Sequence, residues 1–431
     1  MAAHRSRALA LVAALSAALV LAVVLCTRDG RSDAPERFLF FAPSAPSTPP
    51  PPPPPYVALR DAAPARPLIG TAYNDFRLWG LGDAAAEAQY EALLAANFNV
   101  LTAENACKPA AIMPTRDAPP DFAPCDRVLA FAREHGMRFR LHVIGWGEWN
   151  PEWMVQLPSE EREDALLDYA RAVLLHYNGS VDYVDVVNEA VCDQIAFTAS
   201  KRNCGSGPGE LKAGQWVPSV PSYLDRLFLL ARELCAECIL VYNEYGHESN
   251  ADPIDGGKHE RVLSTVRAAL SRGVPIDAVG FQFHASNLAT GHGVLGLPFA
   301  GYLPGVRHAF AHFAALGVAL HVTEIDVGCT VPTMPCTPWE SDGARQEAQA
   351  AVYSAALAAC VENPACTVFQ TWGPTDRFSW RDGGWEATAA TSLAPSRLMD
   401  QRAHLFTRDY EPKAAYWALL KVLQDAAASP A

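Results

Sequence analysis

The sequence predicts an α/β protein, a (β/α)8 TIM barrel, from the alternation, number and spacing of its apolar runs. Short apolar runs bounded by turn residues alternate with helical patterns, eight such runs are present, and their starts recur every 30 to 60 residues, the rhythm of a barrel with some long loops. Strands are expected at Leu68–Ala72, Asn99–Thr102, Arg138–Ile144, Asp182–Val187, Ile239–Tyr242, Ala278–Phe281, Ala319–Thr323 and Thr367–Thr371. Helices are expected between them at Ala84–Ala96, Asp126–His135 closed by Gly136, Ser159–Tyr177 closed by Asn178-Gly179, and Tyr223–Glu233. Three more follow at Lys258–Ser271 before Gly273, Val306–Leu316 before Gly317, and Ala344–Val361.

Length and composition agree with a well-cored enzyme-sized domain. The chain has 431 residues, half of them hydrophobic, and 47 acidic against 34 basic side chains give a formal charge of -13. That balance weighs against nucleic acid, whose phosphates require a basic face; the only Lys/Arg cluster is the short run around Lys201 and Arg202.

The N-terminus reads as a targeting segment. Arg5 and Arg7 precede an apolar run from Ala8 to Cys26, closed by Thr27, Arg28 and Asp29. The run exceeds the usual core of a signal peptide and just reaches a bilayer span, so residues 1–28 are read as a signal anchor, with a cleaved signal peptide close behind. Either route places the remainder in the secretory pathway, outside the cytoplasm, with membrane contact through this segment if it is retained. Residues 29–66 contain the tract Pro49–Pro55 and are expected to form a disordered spacer. The barrel is then assigned to residues 67–425 and a flexible tail to 426–431.

Cysteine usage points to the same oxidising compartment. Of 11 cysteines, ten lie beyond the apolar run in close pairs: Cys107 with Cys125, Cys192 with Cys204, Cys235 with Cys238, Cys329 with Cys336, and Cys360 with Cys366. Cys235-Ala236-Glu237-Cys238 also has a zinc-ligand spacing, but no second CxxC and no HxxxH follows it. The sequon Asn178-Gly179-Ser180 could carry a glycan, and is equally an ordinary helix C-cap.

Polar and aromatic residues gather just past the strand ends: Asn74 and Asp75, Glu104 and Asn105, His142 and Trp146, Asn188 and Glu189, Asn243 and Glu244, Gln282 and His284, Glu324 and Asp326, Trp372 and Asp376. In a barrel these ends form the rim that carries the active site. Glu189 closes Val184-Asp185-Val186-Val187-Asn188, and Glu324 closes Leu320-His321-Val322-Thr323, so each carboxylate directly follows a buried strand. A single such glutamate is more often a rim salt bridge. Two of them, on the fourth and seventh strands, suit retaining glycosidic hydrolysis, which needs an acid and a nucleophile about 5 to 5.5 Å apart.

At these residues the sequence resembles glycoside hydrolase family 10, the endo-β-1,4-xylanases. Asp185-Val186-Val187-Asn188-Glu189 and Thr323-Glu324-Ile325-Asp326 resemble its acid/base and nucleophile motifs. Leu68-Ile69-Gly70-Thr71-Ala72, Glu104-Asn105-Ala106-Cys107-Lys108, and His142 to Trp146 with Pro151 and Trp153 match further elements in order. So do Tyr242-Asn243-Glu244-Tyr245, Gly273 to Asp277 leading to Gln282-Phe283-His284, Thr371-Trp372-Gly373 with Asp376, Ser379 and Trp380, and Tyr410 with Pro412 to Tyr416. The resemblance implies that Glu189 is acid/base, with its pKa raised in the substrate-filled cleft, and that Glu324 is the nucleophile. His284 would keep Glu324 ionised, Asp326 would orient that histidine, and Asn188 would bind the sugar 2-hydroxyl. Glu104, Asn105, Lys108 and His142 would bind sugars on the non-reducing side; Trp146, Trp372 and Trp380 would offer apolar walls; Trp149, Tyr245 and Gln282 would complete the substrate site. It also makes the Cys360–Cys366 pair a family feature. No cofactor or metal is required, and a monomer acting on a polysaccharide, xylan or a related β-glycan, is expected.

The sequence departs from the family pattern beside the cleavage point. Gly147 and Trp149 stand where the family usually has His and Gln, Val184 where it has Trp, and Glu244 and Gly246 where Asp and Asn flank the tyrosine. A hydrolase of the same fold acting on another β-linked glycan therefore stays open beside xylan, as does a glycan-binding wall protein without catalysis.

Overall fold

Eight parallel strands close on themselves in the computed structural model, which describes residues 56–63, 65–74, 84–193, 211–252, 257–286, 301–329, 341–382 and 401–428. The chain divides into residues 1–54 and 55–431, and everything described lies in the second unit. The apolar run from Ala8 to Cys26 and the tract Pro49–Pro55 lie outside the described residues, as do Asp75, Cys204 and Cys336. No helix among the described residues is long and apolar enough to cross a membrane.

The strands are β1 Leu68–Tyr73, β2 Val100–Ala103, β3 Arg138–Trp146, β4 Tyr183–Asn188, β5 Ile239–Glu244, β6 Ala278–Phe281, β7 His284–Ser286, β8 Ala319–Gly328 and β9 Cys366–Thr371. Each neighbour in the order β6-β5-β4-β3-β2-β1-β9-β8 pairs in parallel, and β6 pairs with β8 to complete the barrel. β7 is a three-residue addition that runs beside the outer part of β8, with His284 opposite Asp326. The staves are buried on both faces, which is why they read as continuous apolar runs. Among the described residues the helices are α1 Leu59–Ala62, α2 Ala84–Asn97, α3 Pro109–Ile112, α4 Ala123–Glu134, α5 Glu152–Val155 and α6 Arg162–Tyr177. They continue with α7 Tyr223–Leu234, α8 Lys258–Ser271, α9 Tyr302–Ala314, α10 Asp342–Glu362 and α11 Ala414–Ala428. Ser341 caps α10 by accepting from the Ala344 amide at 3.1 Å.

Expected and observed strand starts agree within about a residue, but β8 runs on to Gly328 and places Glu324 and Asp326 inside the strand rather than after it. The ordered chain also begins before residue 67. Leu59 is fully buried and Tyr56 packs edge-on against Tyr416 and Trp417 of α11, whose Tyr416 hydroxyl donates to the Val57 carbonyl. The proline-rich composition hid this short apolar segment. At the other end α11 continues through Ala428, because alanine sustains a helix that the tail assignment had ended at 425.

A polar layer fills part of the barrel interior. Arg140 on β3 is fully buried and donates to Asp185 on β4 at 2.7 Å and to Gln370 on β9 at 3.3 Å, and meets His321 on β8 at 2.9 Å. Burial raises the Asp185 pKa, but the charge of Arg140 and the hydrogen bond to His142 outweigh it and hold the carboxyl below its ordinary value. Asp185 in turn fixes His142 Nδ1 at 2.9 Å.

The described disulfides join Cys107 to Cys125, Cys235 to Cys238 and Cys360 to Cys366. The CxxC pair is thus a bridge rather than a zinc corner. Cys192 and Cys329 are also disulfide-bonded, and the cysteines assigned to them by spacing lie outside the described residues. The Cys107 bridge anchors the segment that carries Glu104, Asn105 and Lys108 to α4.

Candidate active site

The two glutamates singled out in the sequence are linked through three side-chain amides. Asn243 at the end of β5 donates to Glu324 Oε1 at 2.6 Å and to Asn188 Oδ1 at 2.9 Å. Gln282 then donates to Asn188 Oδ1 at 3.1 Å and to Glu189 Oε1 at 2.9 Å. Thr323 orients Asn243 by donating to its carbonyl oxygen at 2.7 Å. Glycine at 280 makes room for this bridge, because a Cβ there would run into the Asn243 side chain. Asn243 and Asn188 belong to the rim seen in the sequence; their mutual contact spans strands and left no local signal.

Glu189 turns out of β4 with φ 55°, the left-handed region, while its amide donates to the Asn243 carbonyl at 2.9 Å. The turn aims the carboxylate at Trp146, whose indole N–H donates to Oε2 at 3.0 Å, and leaves Asn188 Nδ2 3.3 Å from Oε1. Lys212 stands 3.7 Å from Oε2. It reaches the rim because the Lys212 amide bonds to the Ala190 carbonyl and the adjoining Leu211 bridges to Val191. Burial pushes the Glu189 pKa up, but Lys212, the Gln282 and Trp146 donors and Lys258 together bring it below the ordinary glutamate value, so the raised pKa expected for a substrate-filled cleft is not a property of the free site.

Around Lys212 lies an ion network that the sequence did not announce. Lys212 donates to the Tyr245 hydroxyl at 2.9 Å, that hydroxyl donates to Asp193 at 2.7 Å, and Lys258 donates to Asp193 at 2.6 Å while pairing with Glu244 at 3.2 Å. Burial opposes ionisation of Asp193, yet the two lysines take its pKa down to about 2. Tyr245 was expected in the substrate site; its hydroxyl is engaged within the protein, and Glu244 is buried behind it, accepting from the Val191 amide and the Tyr242 hydroxyl at 2.9 Å each.

Glu324 is held from the other side by His284, whose Nε2 lies 3.2 Å from Oε2 and whose Nδ1 lies 3.0 Å from Asp326. Burial alone would favour the neutral ring, but the charges and hydrogen bonds of Asp326 and Glu324 raise its pKa to about 10. Asp326 is fully buried and also accepts from Arg381 at 2.7 Å and from the Trp380 indole at 2.6 Å. Arg381 was missed in the sequence because a lone arginine after Trp380 reads as surface charge. Trp380 was expected as a sugar wall; its N–H is spent on Asp326 and its ring meets His284 edge-on at 4.9 Å, so it also orients the histidine pair.

The remaining predicted residues line the rim past β9, β1, β2 and β3. Asn74 donates to Glu104 at 2.7 Å, and Lys108 donates to Asn105 at 2.9 Å. The Lys108 ammonium lies 5.0 Å from the Trp146 ring and 4.7 Å from the Trp149 ring, which sits at φ 53°. Trp372 is nearly buried and meets the His142 ring edge-on at 5.2 Å. A Cβ at Gly147 would touch nothing within 4 Å, so the position expected to hold an imidazole is open. Glu148 beside it is exposed but walled closely enough that lost hydration, then the charge of Glu189, raises its pKa.

A closed parallel barrel carrying paired carboxylates, one beside a cationic histidine, on the side where the strands end defines the class: a glycoside hydrolase. The chain belongs to glycosyl hydrolase family 10, whose model matches residues 58–422. It is similar to endo-1,4-beta-xylanase B of Thermotoga neapolitana, with 28% identity over 355 residues that cover 82% of this chain and 87% of that protein. The crystal structure of native xylanase 10B from Thermotoga maritima superposes with a TM-score of 0.69 at 29% identity, covering 86% of this chain and 98% of that one. Xylanase 10B from Thermotoga petrophila RKU-1 in complex with xylobiose matches with the same score, identity and coverage.

Proposed function

We propose that this enzyme is a retaining endo-β-1,4-xylanase in which Glu324 attacks the anomeric carbon and Glu189 serves as acid and then base. The observation that carries the reading is the joining of Glu324 to Glu189 through Asn243, Asn188 and Gln282, with the cationic His284 on the nucleophile side. In the first step Glu324 Oε forms a bond to C1, the C1–O bond to the leaving sugar breaks, and the Glu189 proton goes to that oxygen. In the second, Glu189 takes a proton from water, the water oxygen bonds to C1, and the Glu324 ester is released. Asn188 faces the 2-hydroxyl, where its contact strengthens as the oxocarbenium-like charge develops. Glu104, Asn105, Lys108 and His142 bind the sugars beyond the cut; Trp146 and Trp372 supply apolar surface.

The substrate assignment draws on the xylanases named above, and the delivery of the enzyme to an oxidising compartment draws on the N-terminal apolar run and the disulfides. Asn178 is exposed and so open to a glycan; on the same reading the enzyme acts as a monomer and Cys192 pairs with Cys204. Release of reducing ends from a panel of β-glycans tests the function: xylan should be cut internally and fastest. Preferential cleavage of another β-glycan would transfer the same chemistry to that substrate, and no cleavage of any would leave a binding protein.

A further inference from the structure

Two histidines and a glutamate meet on the helical layer, on residues that the proposed mechanism does not use. His259 and Glu260 stand in the first turn of α8, and His312 stands in the last turn of α9. One donor atom from each can be taken such that all three lie within 4.8 Å of one another; His259 is buried, whereas Glu260 and His312 are exposed.

The tautomer of His259 gives the cluster its chemical sense. Nδ1 lies 3.1 Å from the His247 carbonyl, which can only accept, so Nδ1 carries the proton and donates it. In the neutral ring that metal ligation requires, Nε2 is then the lone-pair nitrogen. It faces His312 Nδ1 at 3.0 Å. A carbonyl fixing the far nitrogen of a buried imidazole, with its lone pair turned toward a second imidazole and a carboxylate, is how proteins orient histidine toward a metal. Two nitrogens each about 2.0–2.1 Å from a tetrahedral zinc lie roughly 3.3 Å apart, close to the observed separation. The Glu260 carboxylate completes the set, all three donor atoms lying within 4.8 Å of one another.

We infer that His259 Nε2, His312 Nδ1 and the Glu260 carboxylate form a binding site for a zinc-class divalent cation, with water completing the coordination. Two imidazoles and one carboxylate suit zinc or cobalt; calcium and magnesium prefer oxygen alone. The role is structural. The cation bridges α8 to α9 at the turn that begins with Lys258, the residue whose ammonium holds Asp193 and Glu244 beside the cleft.

The test uses the full chain, stripped with chelator, and follows thermal unfolding with and without zinc. At a hundredfold excess over Kd the parent should gain on the order of 3 °C. His312→Ala and Glu260→Gln replace exposed side chains, so both should fold; His312→Ala also removes the hydrogen bond to His259 and starts from a lower melting temperature, so each variant is compared with its own stripped form, against which zinc should give no shift. Cobalt should give visible absorption of a bound tetrahedral ion in the parent and not in His312→Ala, and calcium should shift neither. A zinc response equal in parent and His312→Ala, or no response in the parent, would overturn the site and leave the two rings as a simple hydrogen-bonded pair.

Discussion

The half of the cleft that holds Glu324 and the half that holds Glu189 keep their carboxylates by different means. Glu324 is nearly buried, with one oxygen on Asn243 at 2.6 Å and the other on His284 at 3.2 Å. His284 is backed by Asp326, and Asp326 is pinned by Arg381 and Trp380. His284 thus sits between two carboxylates, and it stays cationic. Glu189 is mostly buried too, with its side chain 14% exposed, but its nearest cation lies at 3.7 Å, beyond hydrogen-bond reach, on a segment outside the strands. A nucleophile is best held as an anion throughout, whereas an acid/base must exchange a proton in each turnover. The half with its cation in direct contact fits the first task, and the half that meets Glu189 with neutral donors and holds its cation farther off fits the second.

Removing the carboxylates separates the halves most strongly. Glu324→Ala should lower kcat on the order of 10⁴-fold or more while folding and glycan binding persist, and azide should restore some turnover with inverted product. Glu189→Ala should slow substrates with poor leaving groups far more than activated aryl glycosides, because only the former need the proton. Equal losses on both substrate types would contradict the division of labour.

Lys212 sharpens the comparison through pH. The first step requires protonated Glu189, so activity falls as pH rises through its lowered pKa, and the basic limb of kcat/KM lies toward the acid side. Lys212→Met removes the cation that lowers it, so that limb should move to higher pH. A profile unchanged in shape would mean that Lys212 only supports Tyr245 and Asp193.

The smallest effect is expected at the altered sugar wall. Trp149 and the open space at Gly147 replace polar contacts with an aromatic face over Lys108, and apolar contacts discriminate by only ~1 to 3 kcal/mol. Trp149→Gln should change the kcat/KM ratio between plain and substituted xylo-oligosaccharides by about tenfold. An unmoved ratio would make Trp149 a packing residue.

The same contrast governs what could be read in the sequence. The Glu324 half lies on strands, and an apolar run ending in a carboxylate marks both strand and residue, so Glu324 was legible from the run, whereas the grouping of Asp326 and His284 with it came from the family resemblance. The three amides were visible singly, but their contacts join residues as far as 94 positions apart and have no local pattern. Lys212 and Asp193 owe their places to the chain after β4, where spacing carries no period, and Arg381 looks like any surface arginine until its burial is seen. At the edges of the fold composition misled: proline masked the apolar segment around Leu59, and alanine disguised the end of α11 as a tail.

The central claim, double displacement by Glu324 and Glu189, is tested most directly by following the anomeric configuration of the first product by proton NMR during hydrolysis of a xylo-oligosaccharide. The newly formed reducing end should appear as the β-anomer and only later mutarotate toward equilibrium. Initial release of the α-anomer would show inversion in a single step and would contradict a covalent intermediate on Glu324.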